Sequence, residues 1–378
     1  MTSPSPIAVL GATGLVGRRV CAALVRQGAA IVAVARRGAA LAELARELSS
    51  ASVHIDDAHD AGGLARAFAG AGVVVNAAGP LRDTAAPVLV AALAAGAHYV
   101  DVGGEQAVLR GIYERYESAA RRAGLVALPG AGLDCTLGDL AVAWAAAHLV
   151  GARDPGDAVR HAPAPRLAED DPLDDIAVSY VFDDLALSAG SQRALFGALG
   201  TRAVVWRRDR WEDGGAGDHR RIDPGPALGV RDALAYASGD AITIPRHVTA
   251  QLVTGYVSTT RSPGATAALR LGMRALRLVP RRVSALLVPY TPADAAYDAT
   301  ELAVVAQVRR GTDAAHIVVR GRDVYRTTAE ITAWAAHRLA TRGAGPVGMR
   351  APGELFRGES ALRELALAAD LTIERSFA

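Results

Sequence analysis

The sequence of 378 residues contains no lysine, and all 41 of its Lys+Arg positions are arginine. Several kinds of chemistry need a lysine amine, among them Schiff-base formation, the phosphate-binding loops of nucleotide hydrolases and the Tyr-x-x-x-Lys pair of short-chain dehydrogenases. Arginine cannot take over these roles because its guanidinium does not lose a proton in proteins. Any proton donor or nucleophile must therefore be another residue type.

Cysteine is scarce and histidine is scattered. Cys21 and Cys135 lie far apart, so neither a disulfide framework nor a metal-ligand spacing follows from them. The nine histidines show no ligand spacing, and the densest group, within residues 54–59, fits a loop beside an adenine pocket better than a metal site. We therefore expect no bound metal.

Neither sign of charge dominates, since 41 basic and 39 acidic residues leave a net charge of +2. This balance gives no field that would favour nucleic acid as a partner. Apolar runs are interrupted before they reach about 18 residues, so no transmembrane helix is predicted. The N-terminal residues lack the charged and apolar regions of a signal peptide. A cytoplasmic protein with a small or weakly charged ligand is expected.

The length predicts two domains, and the first 150 residues alternate between strand and helix patterns. Such alternation predicts an α/β fold of the Rossmann type, a doubly wound parallel sheet with helices on both faces. The predicted strands are 7–10, 30–35, 53–55, 73–76, 99–102 and 125–128, with helices between them and a further helix at 137–147.

A glycine-rich turn follows the first strand, with glycines at positions 11, 14 and 17. A turn of this kind lets backbone N–H groups approach a pyrophosphate at the positive end of the next helix. The candidate cofactor contacts are Gly11, Thr13, Gly14, Leu15 and Val16. The alternative is a helix start whose small residues only pack against the sheet.

The end of the second strand carries Arg36 and Arg37, where NAD-binding domains usually place an acidic residue for the ribose 2′-hydroxyl. Arginine instead satisfies a 2′-phosphate with charge-assisted hydrogen bonds. The pair therefore favours NADP(H) over NAD(H), with two solvated arginines as the alternative.

Three further loops are expected at the same carboxyl edge of the sheet. Asn76, Ala77, Ala78, Gly79 and Pro80 follow the fourth strand, where small residues let the chain pass close to the nicotinamide ribose.

The loops after the fifth and sixth strands carry Gly103 as a cofactor contact and two carboxylates, Asp101 and Asp134, which we expect to face the reactive end of the cofactor. For Asp134 a simple helix cap is the alternative.

Four segments occur in a characteristic order: GATGLVG at 11–17, NAAGP at 76–80, YVD with GE within 99–105, and PGAGLD at 129–134 followed by Asp139. In this order they resemble the saccharopine dehydrogenase-like oxidoreductases, and within them the trans-acting enoyl reductases of polyketide and lipid pathways. The resemblance is strong over residues 6–150 and weaker beyond.

The resemblance implies a Rossmann domain, an α+β substrate domain with an antiparallel sheet, and NADP(H)-dependent reduction of a C=C or C=N bond in biosynthesis. The enoyl reductase branch usually has Phe-Asp-x-x-Pro-Ser-Asp around the position of Asp134, whereas this chain has Leu133, Leu137 and Gly138. The chain also lacks the lysine proposed to assist saccharopine reductases, so activity in lysine metabolism is not expected.

The predicted domains are residues 1–150 for the cofactor, 151–340 for the substrate, and a C-terminal segment, 341–378, that returns to the Rossmann domain. In the second domain we predict a strand at 176–182, a hairpin from 302–309 to 315–320 and a helix at 328–339. Residues 208–226 are predicted to form a charged surface loop.

Without lysine, the candidate proton donors are Tyr99, His98, a carboxylic acid such as Asp134, and water. Asp134 is ranked first and Tyr99 second, since burial beside an apolar substrate would raise the pKa of the aspartate. The candidate substrate contacts are Arg246, for a carboxylate, and Tyr180 and Ser191, for an oxygen. A simple helix cap is the alternative for Ser191.

The leading hypothesis is an NADPH-dependent reductase of an enoyl or imine bond in a small or acyl-type substrate, including a carrier-bound one. A homodimer is expected, and no nucleic acid. A second hypothesis is an NADP(H)-binding regulator or scaffold without turnover, which the lack of a recognisable acid–base pair supports.

A third hypothesis is a lipid-associated oxidoreductase. In the predicted helix 263–279, Arg270, Arg274 and Arg277 lie on one stripe. A basic amphipathic helix of this kind can lie on an anionic membrane or line the entry for an acyl chain. A packed helix with a solvated arginine face is the alternative.

Overall fold

The first sheet has seven parallel strands in the order β15-β6-β5-β4-β1-β2-β3. A computed structural model describes residues 5–55, 57–152, 165–183, 185–188, 191, 203–214, 218–259, 297–342 and 345–378, with 262, 264, 267 and 271. The strands of this sheet are β1 Ile7–Leu10, β2 Ile31–Ala35, β3 Ala51–His54, β4 Val73–Asn76, β5 His98–Asp101, β6 Val126–Leu128 and β15 Gly348–Met349. The order confirms the predicted doubly wound Rossmann arrangement.

Helices connect these strands because each parallel crossover must cover a face of the sheet. They are α1 Leu15–Arg26, α2 Gly38–Glu47, α3 Ala61–Phe68, α4 Leu81–Ala94, α5 Gln106–Ala123 and α6 Leu133–Leu149. The first turn of α6 is irregular, since Asp134 and Cys135 have non-helical dihedral angles.

The second sheet is mixed, with its main path in the order β10-β11-β12-β7-β13-β14-β16. Its strands are β7 Asp175–Asp183, β8 Val204–Arg207, β9 Arg210–Asp213, β10 His219–Ile222, β11 Arg231–Ala235, β12 Leu252–Ser258, β13 Glu301–Arg310, β14 Asp313–Arg322 and β16 Thr372–Phe377. β12 and β7 are parallel, β8 pairs with β12, and the predicted hairpin is the β13–β14 pair.

The remaining helices are α7 Asp240–Thr243, α8 Val324–Arg342, α9 Pro352–Leu355 and α10 Glu359–Ala369. One apolar core joins the two sheets: Val75 of β4, Leu140 of α6 and Val304 of β13 belong to the same buried cluster. No helix in the described ranges is long and apolar enough to span a membrane.

Two parts of the chain differ from a simple reading of the sequence. Residues 208–226 were predicted as a loop, but β9 and β10 lie within them. β9 pairs with β8 across a short turn and β10 pairs with the following strand, β11, and both are too rich in charged residues to show an apolar alternation. The C-terminal segment divides between the sheets: β15 pairs with β6, whereas β16 pairs with β14. The predicted helix at 263–279 lies almost entirely outside the described residues.

Candidate functional site

The glycine turn after β1 is in close contact with the turn after β4. Gly11 has a left-handed backbone (φ +80), and a Cβ there would lie 2.8 Å from the Ala77 carbonyl carbon and from the Ala78 nitrogen. A Cβ at Gly17 would lie 2.1 Å from the Gly11 oxygen. Gly11 is therefore required for the two turns to meet, and Gly17 for the helix to start close to the first turn. The two turns flank the crevice between β1 and β4 where dinucleotides bind in this fold.

The N-terminus of α1 is suited to a phosphate group. Its N-cap is Gly14, no side chain caps it, and no acidic residue lies in its first turn. The predicted contacts Thr13, Leu15 and Val16 are half-buried at this end. A helix start with unneutralised N–H groups favours an anion.

Arginine side chains lie beside the same turn. The Arg37 guanidinium donates to the Thr13 carbonyl oxygen at 2.5 Å, and Arg36 is exposed next to it. The end of β2 therefore places positive charge at the rim of the crevice, where a 2′-phosphate could be bound.

Asn76 holds the turn after β4. Its side-chain oxygen accepts a hydrogen bond from Ala78 N at 3.1 Å, and Thr84 Oγ1 donates to the Ala78 oxygen at 2.5 Å. Gly79 and Pro80 complete this turn, with Gly79 exposed. The small residues predicted to lie near the nicotinamide ribose thus form one wall of the crevice.

Asp101 is buried and fastens two loops together. It is 1% exposed, and its Oδ1 accepts hydrogen bonds from Gly103 N at 2.9 Å and Gly130 N at 3.0 Å. We expected Asp101 to face the cofactor, but its carboxyl is turned inward because the loops after β5 and β6 need an acceptor there. Gly103 is buried against it.

Tyr99 belongs to the same buried network. Its hydroxyl donates to Asp101 Oδ2 at 2.9 Å and accepts from Asn76 Nδ2 at 3.4 Å. Burial, followed by the charge of Asp101, raises the pKa of Tyr99 well above its usual value. The phenol therefore keeps its proton and uses it to hold Asp101.

Asp134 lies differently, at the start of α6. The residue is exposed to solvent, yet many protein atoms lie around its carboxyl, so it lines a cleft in the surface. Burial raises the pKa of the Asp134 carboxyl to about 6. A Cβ at Gly104 would lie 2.5 Å from the Asp134 Cβ, so the loop after β5 is closely packed beneath this carboxyl.

Polar residues from the second domain lie near Asp134, with Tyr236 half-buried and Ser238 and Asp240 buried behind it. Burial, followed by the charges of Asp134 and Asp240, raises the pKa of Tyr236 well above its usual value. Ser238 and Asp240 are hydrogen-bonded through their side chains, and both are buried. Burial raises the pKa of Asp240 to about 8.

The backbone at Cys135 is strained and is held from the second domain. Cys135 has a φ of 101, a value that residues with a side chain rarely adopt. Its N–H donates to the Tyr180 hydroxyl at 2.9 Å, and Tyr180 donates to Asp240 Oδ1 at 3.1 Å. Such strain persists where surrounding contacts fix it, often at functional sites.

The three predicted substrate contacts have different surroundings. Tyr180 is fully buried in the network just described. The Arg246 guanidinium binds Glu354 at 2.7 Å and the Met349 oxygen at 2.9 Å. Ser191 Oγ accepts from the Tyr325 hydroxyl at 2.9 Å and belongs to a separate group. The structure therefore brings Tyr180 to Asp134 and places Arg246 and Ser191 with other partners.

The sequence analysis missed Tyr236, Ser238 and Asp240. They follow β11 at alternate positions in the segment Tyr-Ala-Ser-Gly-Asp. Alternating polar and small residues after a strand are the signal that could have indicated them. Within the described residues, no group of three or more His, Cys, Asp or Glu is arranged to hold a metal ion.

Residues 7–128 match the family described as the saccharopine dehydrogenase NADP-binding domain. The chain is also 33% identical over 97 residues to a lipid droplet localized protein of Caenorhabditis elegans, a match that covers 26% of this chain and 23% of that protein.

Among solved structures, apo saccharopine dehydrogenase (L-Glu forming) from Saccharomyces cerevisiae matches with a TM-score of 0.63 and 14% identity, over 99% of this chain and all of that one. A triphenylmethane reductase from Citrobacter sp., complexed with NADP(H), is 28% identical with a TM-score of 0.28, over 32% of this chain and 48% of its own.

The glycines, the uncapped helix and the arginine pair fit the family match, and the whole-chain similarity shows a shared fold. Residues 7–128 thus match the NADP-binding domain of the saccharopine dehydrogenases, and the chain as a whole shares the fold of the yeast enzyme.

Proposed function

We propose that this chain is an NADPH-dependent reductase that adds hydride to the carbon of a C=C bond conjugated to a carbonyl, or of a C=N bond. The observation that carries the proposal is Asp134, an accessible carboxyl with a raised pKa at the carboxyl edge of an NADP-binding domain. Carboxyls perturbed by burial in a cleft mark candidate acid–base sites.

NADPH, when bound, supplies the hydride. The chain must hold the acceptor beside the nicotinamide, exclude water and provide a proton for the atom that gains electrons. Asp134 is the first candidate for the proton donor, because its carboxyl is accessible and its pKa of about 6 keeps a fraction protonated near neutral pH.

Tyr99 is less suited to the donor role that the sequence suggested. Its hydroxyl is fully buried and is bonded to Asp101. We propose that it instead keeps the loops after β5 and β6 in place beside the cofactor. Tyr180 and Arg246 likewise hold the protein around the site, through their bonds to Cys135 N, Asp240 and Glu354. Ser191 is half-buried and remains a candidate substrate contact.

The acceptor is proposed to be a small or acyl-type molecule, including one bound to a carrier. Titration of NADPH fluorescence, followed by NADPH consumption with panels of enoyl thioesters and cyclic imines, tests the proposal. Thioesters should be offered on coenzyme A and on an acyl carrier protein. Turnover that Asp134→Asn reduces by about 10²-fold or more would support it. Binding of NADPH without oxidation across both panels would favour the regulator or scaffold.

A second candidate function, oxidoreductase activity at a lipid surface, is favoured by the similarity to the lipid droplet localized protein. Residues 263–279, with Arg270, Arg274 and Arg277, are the proposed contact. Sedimentation with anionic liposomes compares the wild type with a variant in which all three arginines are replaced by glutamine. Equal sedimentation of the two proteins would exclude this contact.

A further inference from the structure

Asp134 has no side-chain partner that fixes its direction. In the part of the chain that the structure describes, its carboxyl takes part in no hydrogen bond or ion pair, and burial alone raises its pKa. The side chain lies across Gly104, where a Cβ would be 3.2 Å from Asp134 Oδ2. Gly104 adjoins Gly103, a predicted cofactor contact in the loop after β5. The direction of the carboxyl therefore depends on the backbone that carries it.

That backbone turns sharply at the next residue. Asp134 has φ −70 and ψ 112, whereas Cys135 has φ 101 and ψ −56, so the chain turns before the regular part of α6 begins. The Cys135 side chain is fully buried after this turn, and Asp134 is left exposed. A residue with a side chain adopts such a positive φ only at a cost in free energy. Contacts from other parts of the chain must therefore hold the turn.

The contacts that hold the turn come from the second domain. The Cys135 N–H donates to the Tyr180 hydroxyl at 2.9 Å, and this hydroxyl donates to Asp240 Oδ1 at 3.1 Å. Tyr180 lies on β7 and is fully buried, so its oxygen is screened from solvent. The Cys135 sulfur packs against Gly239, where a Cβ would lie 2.4 Å from it. The nitrogen and the side chain of Cys135 are thus both fixed by residues of the second domain.

A glycine in α6 makes room for this contact. A Cβ at Gly138 would lie 3.1 Å from the Tyr180 hydroxyl oxygen and 2.4 Å from Asp240 Oδ1. Gly138 is three residues after Cys135, so it stands beside the turn on the same helix. The missing side chain therefore lets Tyr180 and Asp240 approach the start of α6 closely enough to bond its backbone.

We propose that Tyr180 positions Asp134 for proton transfer by holding the turn at Cys135. The inference rests on the proposed reductase function and adds to it a residue of the second domain on which the chemistry depends. Tyr180 acts through the backbone, so it is a positioning residue, whereas Asp134 is the group that would touch the substrate. Asp240 orients the Tyr180 hydroxyl by accepting its hydrogen bond, which leaves an oxygen lone pair for the Cys135 N–H.

Kinetics of NADPH oxidation with crotonyl-CoA and with 1-pyrroline test the proposal. Tyr180→Phe removes the hydroxyl that holds Cys135 N and keeps the ring. The variant's kcat should fall by about 10- to 100-fold, since a displacement of about 1 Å in a catalytic group can cost about 10²-fold. Its affinity for NADPH should not change, because the glycine turn lies on other elements. An unchanged kcat would overturn the proposal.

A double-mutant cycle with Asp134→Asn separates positioning from a general structural role. If Tyr180 acts through Asp134, then Tyr180→Phe should lower kcat by less than about twofold more once Asp134 has been replaced. A structural role would give the same loss with Asp134 as without it. Equal losses in the two backgrounds would therefore overturn the proposal.

Nuclear magnetic resonance of protein labelled with ¹³C at its aspartate carboxyls gives a readout that does not depend on turnover. The Asp134 signal, assigned by its absence in Asp134→Asn, should titrate near pH 6 in the wild type. In Tyr180→Phe the carboxyl should move away from the protein atoms around it, so its pKa should fall toward the usual 3.8. A pKa that stays near 6 would contradict the proposal. A lowered pKa without turnover of either substrate would contradict only the reductase function.

Tyr256→Phe is the matched control. Tyr256 is a buried tyrosine on the neighbouring strand β12, in a separate apolar cluster on the opposite face of the second sheet. Its replacement should change neither kcat nor the pKa of Asp134. Effects equal to those of Tyr180→Phe would attribute the changes to the loss of any tyrosine hydroxyl in this sheet, and they would overturn the proposal.

Discussion

Asp101 and Asp134 follow neighbouring strands at one edge of the sheet, yet one is buried and the other lines a cleft. The sequence indicated the edge, because strand ends follow from the hydrophobic pattern. It could not indicate the direction of each side chain. That direction depends on which backbone groups need an acceptor, and Gly103 N and Gly130 N both bind Asp101. The bond from Gly130 joins residues 29 positions apart, which a local pattern does not indicate.

The arginines at the end of β2 give a test of cofactor choice. Replacing Arg36 and Arg37 with alanine should weaken NADPH binding by about 10- to 100-fold, since a charge-assisted hydrogen bond contributes about 1.5–3 kcal/mol. NADH binding should change little because NADH has no 2′-phosphate. Fluorescence titration measures both affinities. Arg46→Ala, an exposed position on α2, is the control. Equal losses for the two cofactors would contradict this assignment.

Gly138 gives a test of packing around the buried acid. A Cβ there would lie 2.4 Å from Asp240 Oδ1 and 2.8 Å from Val178 Cγ1. Gly138→Ala should therefore destabilise the protein by about 1–3 kcal/mol. Gly111→Ala in α5 is the matched control, since open space surrounds Gly111. That variant should gain about 0.5–1 kcal/mol. Urea unfolding measures the free energy of unfolding of both variants, and similar values for the two would refute the packing argument.

At the scale of elements, periodicity predicted the strands and helices of the first sheet well, because each βαβ unit is encoded in about 30 neighbouring residues. The second sheet was harder. The β13–β14 hairpin was predicted from its local turn, but β9 and β10 consist mostly of charged residues and resemble a loop. Their partners are near in the chain, since β9 pairs with β8 across a short turn and β10 pairs with β11. They were missed because their charged residues leave no apolar alternation that would indicate a strand.

Gln106, at the start of α5, links three elements. Its side-chain nitrogen donates to the Val204 oxygen at 2.8 Å and to the Ser238 oxygen at 2.9 Å, and its oxygen accepts from Val204 N at 2.8 Å. One side chain thus imitates a strand partner for the start of β8 and holds the segment that carries Ser238 and Asp240.

Gln106→Ala should leave these backbone groups without partners, which costs about 1–3 kcal/mol for a buried group. Hydrogen exchange monitored by mass spectrometry should show β8 and β9 exchanging about tenfold faster or more. NADPH affinity should be unchanged, because the glycine turn lies on other elements. Ser118→Ala, exposed on the same helix, serves as the control. Unaltered exchange in β8 and β9 would show that Gln106 does not hold them.

At the scale of the whole molecule, the cleft is assembled from both sheets. Asp134 begins the helix that follows the first sheet, whereas Tyr236 and Asp240 follow β11 of the second. No local pattern relates these positions, so the sequence could predict one half of the site and not the other. The same assembly buries several carboxyls together, and this makes the stability of the molecule depend on pH.

The sign of that dependence follows from Asp240. Burial raises its folded-state pKa to about 8, above the usual value of 3.8 expected in the unfolded chain. The folded protein therefore binds one more proton than the unfolded chain between these values. The stabilisation is complete below about pH 4 and is lost as the pH rises to about 8, with a slope of at most about 1.4 kcal/mol per pH unit. Asp134 adds to this slope only up to about pH 6.

Asp240→Asn removes the titrating group and should flatten this decline between about pH 6 and pH 8. Urea unfolding across this range measures the difference in the free energy of unfolding between variant and wild type. The contributions of other titratable groups, which both proteins share, cancel in this difference. His98 and His316 are among these groups. Because burial lowers their pKa values, they make the free energy of unfolding rise with pH below about pH 6.5, opposite to the effect of Asp240. A difference between the two proteins that stays constant with pH would mean that Asp240 does not hold its proton in the folded state.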